Sequence, residues 1–236
     1  MAKSRRSPNN FLASLSPSDF ELLQPHLKLI ELRHESVLFE RGTKVKNVYF
    51  PHSGIISLVV PLRGGRIIEA AMVGRDSNVG ASSALDGRIT LNRGIVQLPG
   101  AASVMSAAPF RKAAEQSNAF RSTLVRHEQV LFVQAQQSAA CNATHRVEAR
   151  LARWLLRARD LFSEDTMPLT QEFLSQMLGV QRSSVSGVAN SLQKLGLINY
   201  NRGRVQITNL QGLRKEACEC YIAIKGQYDR LLSRPH

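Results

Sequence analysis

The 236-residue sequence contains no uninterrupted apolar run near the ~18 residues that a bilayer-spanning helix requires, so no helix is expected to cross a membrane. It has only three cysteines, Cys141, Cys218 and Cys220. Three cannot all pair within one chain, and two separated by a single residue have poor geometry for a disulfide with each other. A reduced, cytoplasmic setting is therefore expected. The basic "MAKSRRSPNN" start is followed by Pro17, Asp19 and Glu21, which interrupt the next stretch before a signal-peptide core can form. Acid is also scarce. Asp and Glu number 18 against 31 Lys and Arg, a formal net charge of +13, which attracts polyanions such as nucleic acid or an anionic surface.

The placement of that charge narrows the choice. Between Glu172 and Glu216 there is no acid, while Arg182, Lys194, Arg202, Arg204, Arg214 and Lys215 all fall in the gap. An ordinary solvated face mixes both signs, so a one-sign stretch of this length points to a polyanionic partner.

Three textures follow one another along the chain. From residue 27 to about 107, "SVLFERG", "KNVYFPHSG", "IISLVVPLRGG", "RIIEAAMVG" and "RGIVQLPG" are β-rich runs closed by Gly or Pro, as in an all-β roll. From Pro109 to about Phe162 the sequence reads as helix with a short break. There Leu124, Leu131, Ser138 and His145 recur every seven residues, as do Val130 and Gln137, which predicts a seam packed against a partner chain. The remainder is helical again except for "INYNRGRVQI". In that stretch Ile198, Tyr200, Val205 and Ile207 flank an "NRG" turn and predict a β-hairpin.

The functional signal lies in "LTQEFLSQMLGVQRSSVSGVANSLQKLGLI". Thr170 can cap a helix with Phe173, Leu174, Met177 and Leu178 on its apolar face, and Gly179 ends it. A second helix from about Gln181 places Val185, Val188, Ala189, Leu192 and Leu195 on one side. Ser183, Ser186, Gly187, Asn190 and Lys194 fall opposite, with Arg182 on the flank. Two helices joined through Gly and followed by a two-stranded ribbon are the parts of a winged helix-turn-helix. Small side chains allow close approach to a groove. Arg can reach guanine acceptors, Asn can pair with adenine, and Ser can bond to bases or phosphates. The expected DNA contacts are Thr170, Gln171, Gln181, Arg182, Ser183, Ser184, Ser186, Asn190, Lys194, Arg202 and Arg204, the last two gripping phosphate from the wing.

Taken in order, these parts resemble the Crp/Fnr family of bacterial transcription regulators over nearly the whole chain. "VYFPHSGIISLV" is similar to a strand-turn-strand of that sensor domain, "RLARWLL" to the helix entering the DNA domain, and "LTQEFLSQMLGVQRSSVS" to the helix-turn-helix. The resemblance implies an α+β fold with three parts. Residues 1–117 form an N-terminal β-roll like the cyclic-nucleotide-binding jelly roll, 118–142 a long dimerisation helix, and 143–236 a C-terminal winged helix-turn-helix. It also implies a homodimer reading a two-fold symmetric site in double-stranded DNA, often under a small-molecule effector, with RNA polymerase as a further partner.

The departures from the family pattern bear on specificity. Many members begin the recognition helix with Arg-Glu and carry another Arg a turn later, whereas this chain has Arg182, Ser183 and Gly187, so the family's commonest half-site is not carried over. Cyclic-nucleotide-binding members have Gly-Glu and a later Arg-Ser or Arg-Thr where this chain has Gly80-Ala81 and Arg93-Gly94. Arg93 remains the candidate effector contact, and cAMP is not the expected effector. No cysteine precedes Cys141, which excludes the N-terminal iron–sulfur mode.

Cys141 and His145 stand four apart on a helix, but no further ligand is near them in sequence. Cys218 and Cys220 are expected to point in different directions from a helix and to be simply buried. No metal site and no cofactor are therefore expected. The β-roll has no cysteine, and His26, His34 and His52 are well separated, so no enzyme is expected either. The alternative is a cyclic-nucleotide or other small-ligand binding module in which DNA binding is secondary.

Overall fold

The structure, a computed structural model, describes residues 7–86 and 89–232. Helices α1 (Asn10–Ser14) and α2 (Pro17–Leu23) precede strands β1 (Lys28–Leu32), β2 (Val37–Phe39), β3 (Asn47–Pro51), β4 (Ile55–Pro61) and β5 (Ile67–Val73). Helix α3 (Ala81–Asp86) then leads to β6 (Arg93–Leu98) and β7 (Gly100–Ser106). Next come α4 (Ala107–Gln116), the long α5 (Asn118–Thr144), α6 (Val147–Phe162), β8 (Thr166–Pro168), α7 (Gln171–Leu178) and α8 (Arg182–Lys194). The hairpin β9 (Ile198–Asn201) and β10 (Arg204–Ile207) leads to α9 (Leu210–Glu216) and α10 (Cys220–Leu232). Among the described residues no helix is long and apolar enough to cross a membrane.

The strands of the N-terminal region form two antiparallel sheets, ordered β1-β7-β3 and β2-β6-β4-β5. Strand β7, "GAASVMS", has little β-branched character, yet it is central in its sheet. Small residues are needed at its start: a Cβ on Gly100 would lie 2.4 Å from the backbone of Ser53. The first part of β4, in the other sheet, is covered on both faces, with Ile55, Ile56 and Val59 all buried, which accounts for the apolar run that opens the strand. Ile56, Val73 and Val96 face the interior of the roll with Phe50 and Phe110. Ile55, Val59, Met72 and Leu98 face outward into a second core with Leu151, Trp154, Leu155 and Met177. The C-terminal region thus sits directly on the outer face of this sheet.

A polar seam lies within that contact. The Trp154 indole donates to Glu69 Oε1 at 2.8 Å, and the Ser57 hydroxyl donates to the other oxygen of the same carboxylate. Burial pushes the Glu69 carboxyl above its ordinary range, against the pull of those two hydrogen bonds and of Arg153 and Arg157. Arg157 pairs with Asp76 at 2.6 Å and lies over the Tyr228 ring at 4.5 Å, joining the loop after β5 to α6 and α10.

Helix α5 has 27 residues and is about 40 Å long at 1.5 Å per residue. Ser117 caps it, its hydroxyl accepting from the Phe120 N–H at 3.1 Å, and the extended backbone of His145 and Arg146 separates it from α6. The heptad columns expected to face a partner are used within the chain. Leu124 and Leu131 are buried in the core of the roll. Val130 packs against Ile224 and Tyr228 of α10, and Gln137 donates to Cys220 Sγ. The apolar residues left exposed are one position further along, Val125 at 56% and Phe132 at 64%. They share a stripe with exposed Gln129, Gln136 and Ala139. The seven-residue spacing is correct, but the outward column is 125/132/139 rather than 124/131/138.

Candidate nucleic-acid interface

Local chemistry shapes the helix-turn-helix as the sequence predicts. The Thr170 hydroxyl accepts from the Phe173 N–H at 3.1 Å and caps α7. Gly179 ends the helix at φ +66°, with the Val180 N–H returning to the Ser175 carbonyl at 3.0 Å. A side chain at Gly179 would also crowd Ile68 of β5, 3.2 Å from its Cβ. Gln181 precedes α8 with extended backbone and no side-chain cap. Leu174, Met177, Leu178, Val185, Val188, Ala189 and Leu192 are buried as expected, but Leu195 is 60% exposed. It is the C-cap of α8, where the chain turns into Gly196, so the helical period no longer directs its side chain inward.

The outward face carries Gln181, Arg182, Ser183, Ser184, Asn190 and Lys194, all exposed. Ser186 is half-buried, and its hydroxyl donates to Gln171 Oε1 at 2.6 Å, so these two side chains hold α7 and α8 together rather than standing free. Gln193 Oε1 accepts from the Tyr200 N–H at 2.7 Å and ties α8 to the hairpin. Burial raises the Tyr200 phenol above its ordinary value while nearby Arg182 pulls it down.

The β9–β10 turn has Arg202 at φ +47° and Gly203 at φ +72°, with Asn201 paired to Arg204. Two left-handed central residues are what a tight hairpin turn with native twist requires. Arg202 and Arg204 are exposed. A Cβ on Gly203 would lie 3.5 Å from Thr170, so the wing tip sits beside the start of α7. Strand β8 pairs with β10 and makes the ribbon three-stranded, ordered β8-β10-β9, where two strands were expected. Three residues ending in Pro168 are too few to show a period. Sequence reasoning also passed over exposed Asn199 and Gln206, which alternate with the inward residues of the hairpin and flank the wing arginines. Near Arg182, a cleft of about 530 Å³ separates the β4–β5 turn from the α7–α8 turn, lined by Arg66, Ile68, Glu172 and Gln181.

The β-roll contains a cavity of about 390 Å³ against α5, lined by Phe39, Leu58, Gly80, Thr90, Glu128 and Phe132 among others. Arg93 is not among its lining residues. Its Nε lies 3.2 Å from Glu40 Oε1, an ion pair without hydrogen-bond alignment. Among the described residues the cavity is lined by no Lys, Arg or His. Glu128 carries its ionisable group there, raised by burial and partly brought back by hydrogen bonds from Ser82. His52, by contrast, is satisfied by Ser103 at 2.9 Å.

One expectation fails on geometry. Cys218 lies before α10 rather than within a helix, and the side chains of Cys218 and Cys220 converge with Cys141 and His145.

Residues 149–216 match the Crp-like helix-turn-helix domain. No curated protein is significantly similar to the chain. Among solved structures, a CRP-family transcriptional regulator from Thermus thermophilus is 22% identical, the match covering 80% of this chain and 96% of that one at a TM-score of 0.66. FixK2 from Bradyrhizobium japonicum is 15% identical over 81% of this chain and 98% of that one, with a TM-score of 0.69. The c-di-GMP responsive global regulator CLP of Xanthomonas campestris is 14% identical over 81% and 99%, with a TM-score of 0.66. At these identities the likeness is one of fold. The chain carries a Crp-like helix-turn-helix domain on a fold of the Crp/Fnr transcription-regulator type.

Proposed function

We propose that the chain is a non-enzymatic, sequence-specific DNA-binding regulator of transcription that reads a two-fold symmetric site as a homodimer. The observation that carries this reading is the acid-free outward surface of α8 and the wing. Ser183, Asn190 and Lys194 lie on the outward face of α8, exposed Arg182 and Ser184 flank it at the helix start, and Arg202 and Arg204 lie at the adjoining turn. Arg182, Ser183 and Ser184 at the helix start are the base readers. Asn190 and Lys194 further along meet backbone, and Arg202 and Arg204 grip phosphate. Gln171 and Ser186 join α7 to α8 through their hydrogen bond, Thr170 caps α7 beside the wing tip, and Thr170, Gln171 and Gln181 are the remaining proposed DNA contacts.

In this reading residues 1–117 form the sensor-like part, 118–142 the dimer contact and 143–236 the DNA-binding part, with α10 returning to α5. The exposed Val125 and Phe132 stripe supports the dimer. RNA polymerase is a further partner, and the protein works in the cytoplasm.

The Xanthomonas neighbour responds to c-di-GMP, but the cavity here suits neither that ligand nor cAMP. An anionic phosphate would meet Glu128 and no cation among the described lining residues, so those residues supply no charge to offset its desolvation. Arg93 is engaged with Glu40 instead.

Selection of bound duplexes from a random library, followed by fluorescence anisotropy at several salt concentrations, tests the function. The expected result is an inverted repeat bound at least about a thousandfold more tightly than scrambled DNA. Equal affinity for all duplexes, or no binding at low salt, overturns it.

A further inference from the structure

The break between α5 and α6 brings together four soft ligands from two distant parts of the chain. Cys141 lies in the last turn of α5 and His145 directly follows that helix, while Cys218 lies in the α9–α10 link and Cys220 opens α10. Their donor atoms all lie within 4.8 Å of one another, the three thiols buried and the imidazole half-buried. The Cys141 and Cys218 sulfurs are 3.5 Å apart, and Cys220 Sγ is 3.7 Å from His145 Nδ1. A tetrahedral zinc ion, with bonds of ~2.3 Å to sulfur and ~2.05 Å to nitrogen, has edges of about 3.8 Å between sulfurs and about 3.6 Å between sulfur and nitrogen. These two separations are close to those edges, and all four donor atoms lie within 4.8 Å of one another. A Cys141–Cys218 disulfide, at ~2.05 Å, would require the two sulfurs to close by about 1.5 Å.

The surroundings complete the site. His145 turns Nδ1 into the cluster and places Nε2 3.1 Å from Glu219 Oε1, the carboxylate pairing that fixes the tautomer of a metal-bound imidazole. The Gln137 side-chain amide donates to Cys220 Sγ at 3.1 Å. Arg150 and Arg153 are buried with no hydrogen-bond partner for either Nε. The charge of Arg153 acts on Cys141, and that of Arg150 on both Cys141 and Cys218. Three thiolates around a divalent ion leave one net negative charge, and these two guanidinium groups offset it where water does not reach. Arg150 also donates to the Leu178 carbonyl at the end of α7, one contact from the helix-turn-helix.

We propose that Cys141, His145, Cys218 and Cys220 bind one zinc ion in a closed tetrahedral site that staples the end of α5 to the α9–α10 link. Thiolate and imidazole ligands select zinc over magnesium or calcium, and four protein ligands leave no open position, so the ion holds structure and does no chemistry. On binding, the ion exchanges its waters for the three sulfurs and the ring nitrogen, and the three thiol protons pass to buffer. The staple holds His145, the first residue of the break, against the α9–α10 link, and because α9 packs on α6 it thereby helps set how α6, and the helix-turn-helix behind it, leaves α5. The zinc site stands apart from the DNA reading, because the ion is detected directly.

The test uses the full-length protein purified under reducing conditions. Elemental analysis is expected to find about one zinc per chain. Metal-free protein titrated with cobalt(II) is expected to develop tetrahedral ligand-field bands and sulfur-to-cobalt charge transfer, saturating at about one ion per chain. Cys218→Ser is expected to lose charge-transfer intensity and to bind at least about tenfold more weakly. Because that variant can fail to fold, Glu219→Gln serves beside it. It keeps all four ligands and should keep the spectrum while lowering affinity about tenfold. Reduced, folded wild-type protein that shows no cobalt–thiolate charge transfer overturns the proposal. So does a Cys218→Ser protein whose cobalt spectrum and affinity match the wild type.

Discussion

Truncating Phe132 to alanine should split the dimer while leaving the protomer folded. Phe132 leaves 64% of its surface exposed on the outer stripe of α5. With ~200 Å² for a phenylalanine side chain, roughly 130 Å² per chain is available to a partner. Over two copies, at ~25 cal/mol per Å², this amounts to roughly 6 kcal/mol. Alanine keeps about a third of that, so Phe132→Ala is expected to weaken association by up to about 4 kcal/mol, roughly a thousandfold in Kd. Leu131→Ala is the contrasting variant. Leu131 is 9% exposed and packs into the roll, so its truncation should cost about 2–5 kcal/mol of protomer stability with little direct effect on the seam. Sedimentation equilibrium at micromolar protein, with circular dichroism to confirm folding, separates the two. A folded Phe132→Ala protein whose dimer constant stays within about threefold of wild type would refute the assignment of the outer stripe, as would a monomeric wild type with and without DNA.

Arg182→Ala should cost about 1–3 kcal/mol on the preferred operator and relax selectivity at one base pair per half-site. Arg202→Ala should weaken all duplexes alike and lower the salt slope by about one per lost contact. Equal losses on operator and scrambled DNA for Arg182→Ala would make that residue a phosphate contact. Calorimetric titration with cAMP should give no dissociation constant at or below about 10 μM, roughly −7 kcal/mol. His127 is held down to about 4, chiefly by burial and further by Arg126, against the opposing pull of Asp76. Because its folded value is below the ordinary 6.5, its contribution to stability is fully present above pH 6.5 and is lost as pH falls through about 4. The total loss should be about 3 kcal/mol. Urea titrations from pH 7 to 4 should show that loss in wild type and much less in His127→Gln, and equal pH dependence in both would exclude His127 as its source.

Wherever a short stretch carries its own instructions, the sequence alone determined the structure. Thr170 caps α7, Gly179 takes the left-handed conformation that ends it, and the 3.6-residue period buries Val185, Val188, Ala189 and Leu192. "NRG" folds into the tight turn that places Arg202 and Arg204 at the wing tip. These signals are legible because the interacting atoms are a few residues apart. The tertiary structure alone decided what each face meets. A heptad says which residues share a side of α5, but only packing shows that Leu124 and Leu131 meet the roll, that Val130 meets α10 ninety-four residues later at Ile224, and that Phe132 is left outside. Strand β8 is too short to show a period and is defined by its pairing with β10. Cys141 and Cys218 are 77 residues apart, and neither carries a local signal of the other. They converge because α10 returns along α5, a contact fixed by long-range burial rather than by any pattern within either segment.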